Sequence, residues 1–387
     1  MKRKYDYIIC GAGLSGLILA SRIFEDRFFD DKNILLIDKD LKSSANKTWC
    51  FWETGNSVWK DYIVKSWDTV IFKSKVFKKE KSLKSYSYKM IKSKFFLDSI
   101  INKIKQANNF DFFQDEIVDF VESENNVLVQ TKSNQFLANN VFNSCIDVDE
   151  IKSKTSYPFL LQHFLGWTIE TSESFFNEKK ATIMDFSIDQ KDETRFFYVL
   201  PLSDKKALIE FTVFSKDLLK KDEYKLELKK YIKSLKIDKY KIIEDEFGVI
   251  PMTCYPFERK NTSKILNIGT AGGWTKPSSG YTFKFIEKNT IKLVAYIKKN
   301  SQFSNFKIKT RHWIYDLIFL DVLHKKNYLG SKLFTKMFSK NPMEKIFMFL
   351  DNETSIIDEL KITASFPKRI FTNSLLNNIG KIIRGYC

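Results

Sequence analysis

Residues 5–38 read YDYIIC, GAGLSG, LILASRIF and, after a polar break, ILLID. An apolar strand runs into Gly11-Ala12-Gly13-Leu14-Ser15-Gly16, continues as a helix and is followed by a second strand ending on Asp38. Few folds admit that order. The glycine spacing, the flanking strand and helix, and an acid roughly 20 residues further on form the complete dinucleotide-binding fingerprint of a βαβ unit. Gly11 permits the tight turn, Gly13 lets backbone approach a pyrophosphate, and Gly16 lets helix pack on strand. The N–H groups that the helix leaves unpaired around Ala12, Leu14 and Ser15 favour that anion. Asp38, with Lys39 beside it, suits the ribose hydroxyls of the adenosine half. A glycine turn without a ligand is the alternative reading.

Spacing alone does not separate FAD from NAD. A fingerprint this early in the chain is usual in FAD proteins of the glutathione-reductase kind, which also return a late strand to the flavin. Lys264–Gly280, KILNIGTAGGWTKPSSG, offers such a strand followed by small residues. Gly269, Gly272, Gly273, Lys276 and Gly280 are therefore candidate cofactor residues. A helix from Tyr281 to about Lys298 would aim its N-terminus at the ring or phosphates.

The formal net charge is +17, from 64 basic and 47 acidic residues. The lysines are scattered and no arginine cluster or RNA-binding motif occurs, so nucleic acid is not expected as a partner. Basic charge together with 36 Phe suits an anionic lipid surface instead. Five separated cysteines without a CxxC, and His163, His312 and His324 without ligand spacing, predict reduced thiols in a cytoplasmic protein and no metal site. MKRK followed by IICGAGLSGLILA superficially resembles a secretory leader, but Asp6 and three glycines interrupt it. No later stretch offers eighteen uninterrupted apolar residues, so no spanning helix is expected.

Ala207–Phe214, ALIEFTVF, is a strand with one acid in it. Alternation puts Ile209, Phe211 and Val213 on one face and Leu208, Glu210, Thr212 and Phe214 on the other. Burying an unpaired carboxylate is costly, so Glu210 must be paired, hydrated or protonated. Asp185 in TIMDF is a second acid among apolar residues and a candidate catalytic residue, suited to supporting Glu210 or contacting the flavin, and equally to a capping or structural role. Glu246, before GVIPM, reads as structural or cofactor-side rather than catalytic, and His163 in QHFLGW as a core histidine ahead of a functional one.

Several stretches together resemble the bacterial lycopene β-cyclases. They are YDYIICGAGLSGLILA, NKTWCFWE (Asn46–Glu53), QHFLGWTIE (Gln162–Glu170), TIMDF (Thr182–Phe186), FFYVLPLSDKKALIEFTVFS (Phe196–Ser215), EFGVIPMT (Glu246–Thr253), IGTAGGWTKPSSGYTF (Ile268–Phe283) and the weaker FLDNE near the end. They occur in family order over nearly the whole chain. The resemblance implies a redox-neutral isomerisation of lycopene and related carotenoids, through γ-carotene to β-carotene. It also implies FAD held in the reduced state at the expense of NADPH or NADH. Glu210 matches the family's essential glutamate. Many relatives carry a second acid at the next position, where Phe211 stands here, which speaks against two acids on this strand. Thr is common where Ser279 stands.

Ring closure begins by protonating a terminal alkene, and the resulting cation needs a dry, aromatic site. Phe196, Phe197, Tyr198, Phe211, Phe214 and Trp167 are candidates for its lining. A carboxyl kept neutral by apolar surroundings would be the acid. A flavin monooxygenase of the aromatic-hydroxylase type is the competing function.

The expected fold class is α/β: a Rossmann-like FAD-binding domain with an inserted antiparallel β substrate domain and a helical C-terminal region. Residues 1–45, 90–148 and 255–295 should form the first, 46–89 and 149–254 the second, and 296–387 the third. Helices are expected over Phe95–Asn108 and Leu218–Lys236. The C-terminal region, rich in Phe and Lys, would finish the core or touch the membrane. The protein would then work at the cytoplasmic face of the membrane, as a peripheral protein, or in the cytoplasm.

Overall fold

The computed structural model describes residues 4–41, 47–300 and 302–386. The basic start of the chain, the expected boundary at 45/46 and Asn46 of the NKTWCFWE motif lie outside the described residues. The first layer is a sheet with strand order Phe110–Gln114, Ile34–Asp38, Lys4–Cys10 and Gln135–Asn143, all parallel. The free side of Gln135–Asn143 is shared. Its first half pairs antiparallel with Val127–Thr131 of a hairpin, and its second half pairs parallel with Ile265–Asn267. The late strand predicted from KILNIG thus joins the strand next to the fingerprint.

Period-two burial explains the layering. Tyr7 and Ile9 face the helices Leu14–Phe24, Ser93–Ile104 and Phe283–Ile297 in one core. Ile8 and Cys10 face a second core shared with Val127 and Val129 of the hairpin. Strands buried on both faces read as continuous apolar runs, as YDYIIC and ILLID do.

The second sheet has seven strands in the order Tyr240–Thr253, Phe159–Thr171, Lys206–Ser215, Thr194–Pro201, Lys180–Phe186, Thr69–Ser74 and Lys78–Ser82. Its pairs are antiparallel except that of Lys180–Phe186 with Thr69–Ser74, which is parallel. One face carries Phe186, Phe196 and Phe214 against Phe334 of the C-terminal helix Gly330–Lys340. The other carries Phe197 and Phe211 against the helix Lys221–Ser234, where Phe197 stacks on Tyr231 with centroids 3.8 Å apart.

The described part of the 46–89 segment divides. Thr69–Ser82 joins the large sheet, while Thr48–Thr54, Ile63–Trp67 and Tyr86–Lys92 form a three-stranded sheet of their own. That small sheet stitches the layers together. Phe51 stacks on Phe283 at 4.6 Å and Trp52 on Phe347 at 4.4 Å. Among the described residues no helix is long and apolar enough to cross a membrane.

Candidate active site

Three neighbouring strands of the large sheet place Glu210. Gly166 pairs with Glu210 on one side and with Glu246 on the other. Residues level across a sheet share a face, so both carboxyls rise from the same side, above a residue that has no side chain. A methyl on Gly166 would lie 3.2 Å from Glu246 Cγ and 3.5 Å from Glu210 Cβ. Glycine inside an apolar strand is here a close approach between neighbours.

Glu210 is buried and accepts a hydrogen bond from Thr212 Oγ1 at 2.8 Å. Glu246 is differently served. Its Oε2 accepts from Thr48 Oγ1 at 2.6 Å, and Lys92 Nζ lies 3.6 Å away. Burial pushes the Glu210 carboxyl up to about 8, with the neighbouring Glu246 charge adding to the rise and Thr212 opposing it. Burial also raises Glu246, against the opposing influence of Lys92 and Thr48. An acid raised this far holds its proton at neutral pH.

Glu210 lines a cavity of about 570 Å³. The same cavity is lined by Ala12, Gly13, Leu14, Ser15, Asp38, Lys39 and Gly280. Trp49, Tyr88, Phe164, Tyr198, Tyr281 and Phe283 add rings, and Cys50 and Leu208 line it as well. Burial holds the Tyr198 phenol well above its ordinary range and pushes Tyr281 up to about 12, so both rings stay neutral. The fingerprint and the buried acid, about 200 residues apart in sequence, meet in one space.

The loop residues suit a dinucleotide. Gly11 has φ +101°, and a methyl there would collide with Ser144 Oγ at 2.1 Å. The helix starting at Leu14 has no side-chain cap, and nothing lies within 4 Å of where a methyl on Gly13 would sit. The first-turn N–H groups are thus left to an anion. Asp38 Oδ2 accepts from Ala12 N at 2.5 Å, which fixes the acid against the loop.

The remaining candidates separate. Gly16 and Gly269 shape the chain behind the cavity wall, Gly269 lying against Ser15. Gly272, Gly273 and Lys276 line a different hollow of about 340 Å³. The Lys276 ammonium is fully buried between Asp316, at 2.9 Å, and Asn352, at 2.7 Å, so it is a structural ion pair. Asp185 pairs across the sheet with Phe197 and shares its face, opposite to Glu210. It is held by Lys73 at 3.0 Å, Tyr231 at 2.8 Å and the Ser187 amide at 2.9 Å. Burial would raise its pKa, but Ser187, Lys73 and Tyr231 together hold it below the usual carboxylate range. His163 is buried between Ser215 and Tyr224, each at 2.7 Å, and burial lowers it to about 4. Of the six aromatic candidates only Tyr198 lines the cavity. The sequence reading missed Trp49, Tyr88, Phe164, Tyr281 and Phe283 there, although all but Tyr88 stand inside quoted motifs.

A Rossmann-type layer under a mixed β-sheet is the fold shared by FAD-dependent oxidoreductases and halogenases. The chain matches a flavoprotein/dehydrogenase from Cytophaga hutchinsonii with TM-score 0.61 (11% identity, 98% of this chain and 100% of the other). It also matches a geranylgeranyl bacteriochlorophyll reductase-like protein from Thermoplasma acidophilum with TM-score 0.58 (12% identity, 96% and 98%). A variant of the halogenase PltM in complex with FAD gives 0.60 (10% identity, 96% and 86%). Within that class, the family model described as lycopene cyclase protein matches residues 6–376, and the chain belongs to this family. A lycopene beta-cyclase from Pantoea ananas is 26% identical over 227 residues, 55% of this chain, and the match spans about half (53%) of that relative's length.

Proposed function

We propose that the protein is a flavin-dependent lycopene β-cyclase in which Glu210 is the acid. One observation carries this reading: a neutral buried carboxyl and the dinucleotide loop line the same cavity. Glu210 gives its proton to the terminal double bond of a ψ-end, forming a C–H bond and leaving a tertiary cation on the adjacent carbon. The neighbouring double bond supplies the electron pair that closes the ring, and loss of one ring proton restores neutrality. One proton is delivered and one released, so the reaction is an isomerisation. Tyr88, Tyr198, Tyr281 and Phe164 present neutral rings to the cation and exclude water.

Residues 12–15, Asp38, Lys39 and Gly280 would hold FAD. When bound and reduced, it would supply negative charge that stabilises the cation. NADPH or NADH would keep it reduced. The cofactor half would comprise 1–45, 90–148 and 255–295. Peripheral contact with the cytoplasmic leaflet is supported by exposed Ile356, Ile357, Leu360, Leu376, Ile379 and Ile383 on the last two helices, the second of which also carries lysines and arginines.

Expression in lycopene-accumulating cells, with pigments separated by chromatography, tests the reading. Monocyclic and bicyclic β-products are expected, without oxygen consumption. Unchanged lycopene beside well-expressed, flavin-loaded protein refutes it, and stoichiometric oxygen uptake would move the assignment to the hydroxylases.

A further inference from the structure

Among the described residues, Glu246 is the acid that the geometry brings to Glu210 and that the proposed mechanism does not use. The two project from adjacent sides of Gly166, and a methyl on that glycine would press on both. Their surroundings differ in a consistent way. Thr48 and Lys92 both stand at Glu246 Oε2, and neither makes a bond to Glu210. Glu246 Oε1 is buried with no hydrogen-bond partner among the described residues. A buried acceptor left without a donor is expensive unless a proton is supplied from nearby. We infer that Glu246 is a positioning residue which stays ionised beside Lys92 and shares one proton with Glu210 across Gly166, keeping Glu210 charged with its proton for delivery. This inference rests on the cyclase reading for the use of that proton, though not for its existence.

Proton and charge balance follow. Before delivery the pair holds one proton and one negative charge, the latter facing Lys92. Delivery to the alkene leaves two carboxylates across a glycine-wide gap, a like-charge arrangement that favours recapture of the proton the ring gives up. No oxidant or reductant is consumed. The other titratable groups facing Glu210 are Tyr198, Tyr281, Tyr88 and Cys50, all raised first by burial and therefore neutral, and Lys92, whose positive charge opposes the rise. Those facing Glu246 are Lys92 and Glu244, which are paired at 3.1 Å. Glu246 is thus the nearest negative charge able to raise Glu210.

The test is an infrared titration of the protonated-carboxyl band, assigned by its loss in Glu210→Gln, together with the pH profile of cyclisation. In the wild type the pair should release its protons in two well-separated steps, the later near 8. In Glu246→Gln the band and the basic limb of the profile should both move down by about one pH unit or more, with bound flavin unchanged. A merely structural Glu246 would lower activity equally at every pH and leave the band in place. Overturning results are a wild-type band titrating in the ordinary carboxylate range, or an unmoved band in Glu246→Gln. The wild-type titration is read without Glu246→Gln, so it tests the pair even where that variant fails to fold. Because the band is read without turnover, failure of the proton-sharing pair is distinguishable from failure of the cyclase assignment.

Discussion

Replacing Glu210 by Gln should stabilise the protein as it disables it. The folded carboxyl titrates near 8 against an ordinary 4.5, because ionising it means placing charge in a closed apolar site beside Glu246. A raised folded value means that the native state binds the extra proton between those two pH values. Stability therefore falls as pH rises from 4.5 to 8, and on this account is flat outside that window. At pH 7 the wild type has lost about 3 kcal/mol relative to pH 4.5, at about 1.4 kcal/mol for each pH unit. Glutamine keeps the shape, can accept from Thr212 as the acid does, and never ionises. The variant should thus gain up to about 3 kcal/mol at neutral pH, roughly 5 °C in Tm, with the gain shrinking to nothing near the ordinary carboxylate pKa. Differential scanning of both proteins across the window reads this directly. Activity should drop by about 10²- to 10⁴-fold, the usual contribution of a positioned acid. Parallel Tm–pH curves for the two proteins would mean that Glu210 ionises freely, and the acid assignment would fall with them.

Gly166→Ala places a methyl 3.0 Å from Leu208 Cδ1 and against both glutamates. It should cost about 1–2 kcal/mol in chemical denaturation and about tenfold in turnover as the carboxyls are forced apart. Asp185→Asn should cost about 1 kcal/mol of stability, since Lys73 loses its partner but is itself about a third exposed, yet leave turnover per folded molecule unchanged. Because the Asp185 pKa is held low, its contribution is present above the ordinary carboxylate range and is lost as pH falls, so the variant's deficit should shrink in acid. Asp38→Ala should weaken flavin retention about tenfold, read as the flavin-to-protein absorbance ratio, without moving the pH limb of any residual cyclisation. Lys276→Met strands Asp316 and should lower Tm while the flavin ratio stays at the wild-type level; flavin loss in a well-folded protein would return Lys276 to the cofactor site.

The parts of the fold legible in sequence were those carried by local periodicity. YDYIIC, ILLID and ALIEFTVF are strands by residue type, and the glycine run between strand and helix has one physical use. The helix expected over Phe95–Asn108 forms at Ser93–Ile104, and that expected from Tyr281 forms at Phe283–Ile297. Side-chain direction was not legible where something remote decides it. A bulge between Thr182 and Asp185 resets the alternation, so no count along TIMDF could tell which face Asp185 takes. Lys276 sits in a cofactor-like motif, yet its ammonium turns to Asp316 and Asn352 on or near helices formed later in the chain. Proximity in sequence to a glycine loop is no guide to where a long flexible side chain ends.

Glu246 shows the same limit from the other side. Nothing within EFGVIPMT says that its acid is level with Glu210, because cross-strand register is set by pairing through Phe159–Thr171. The readable hint was Gly166 in QHFLGWTIE: a glycine inside an otherwise oily strand marks a place where neighbours need the room. Alternation also settles what the missing acid at 211 means. Phe211 points to the opposite face, with its ring 5.0 Å from Phe197 and 6.2 Å from Tyr224. A carboxyl at 211 would follow it there, away from the cavity. A second acid able to act on Glu210 from this sheet must therefore come from a position level with it, and across Gly166 that position is 246.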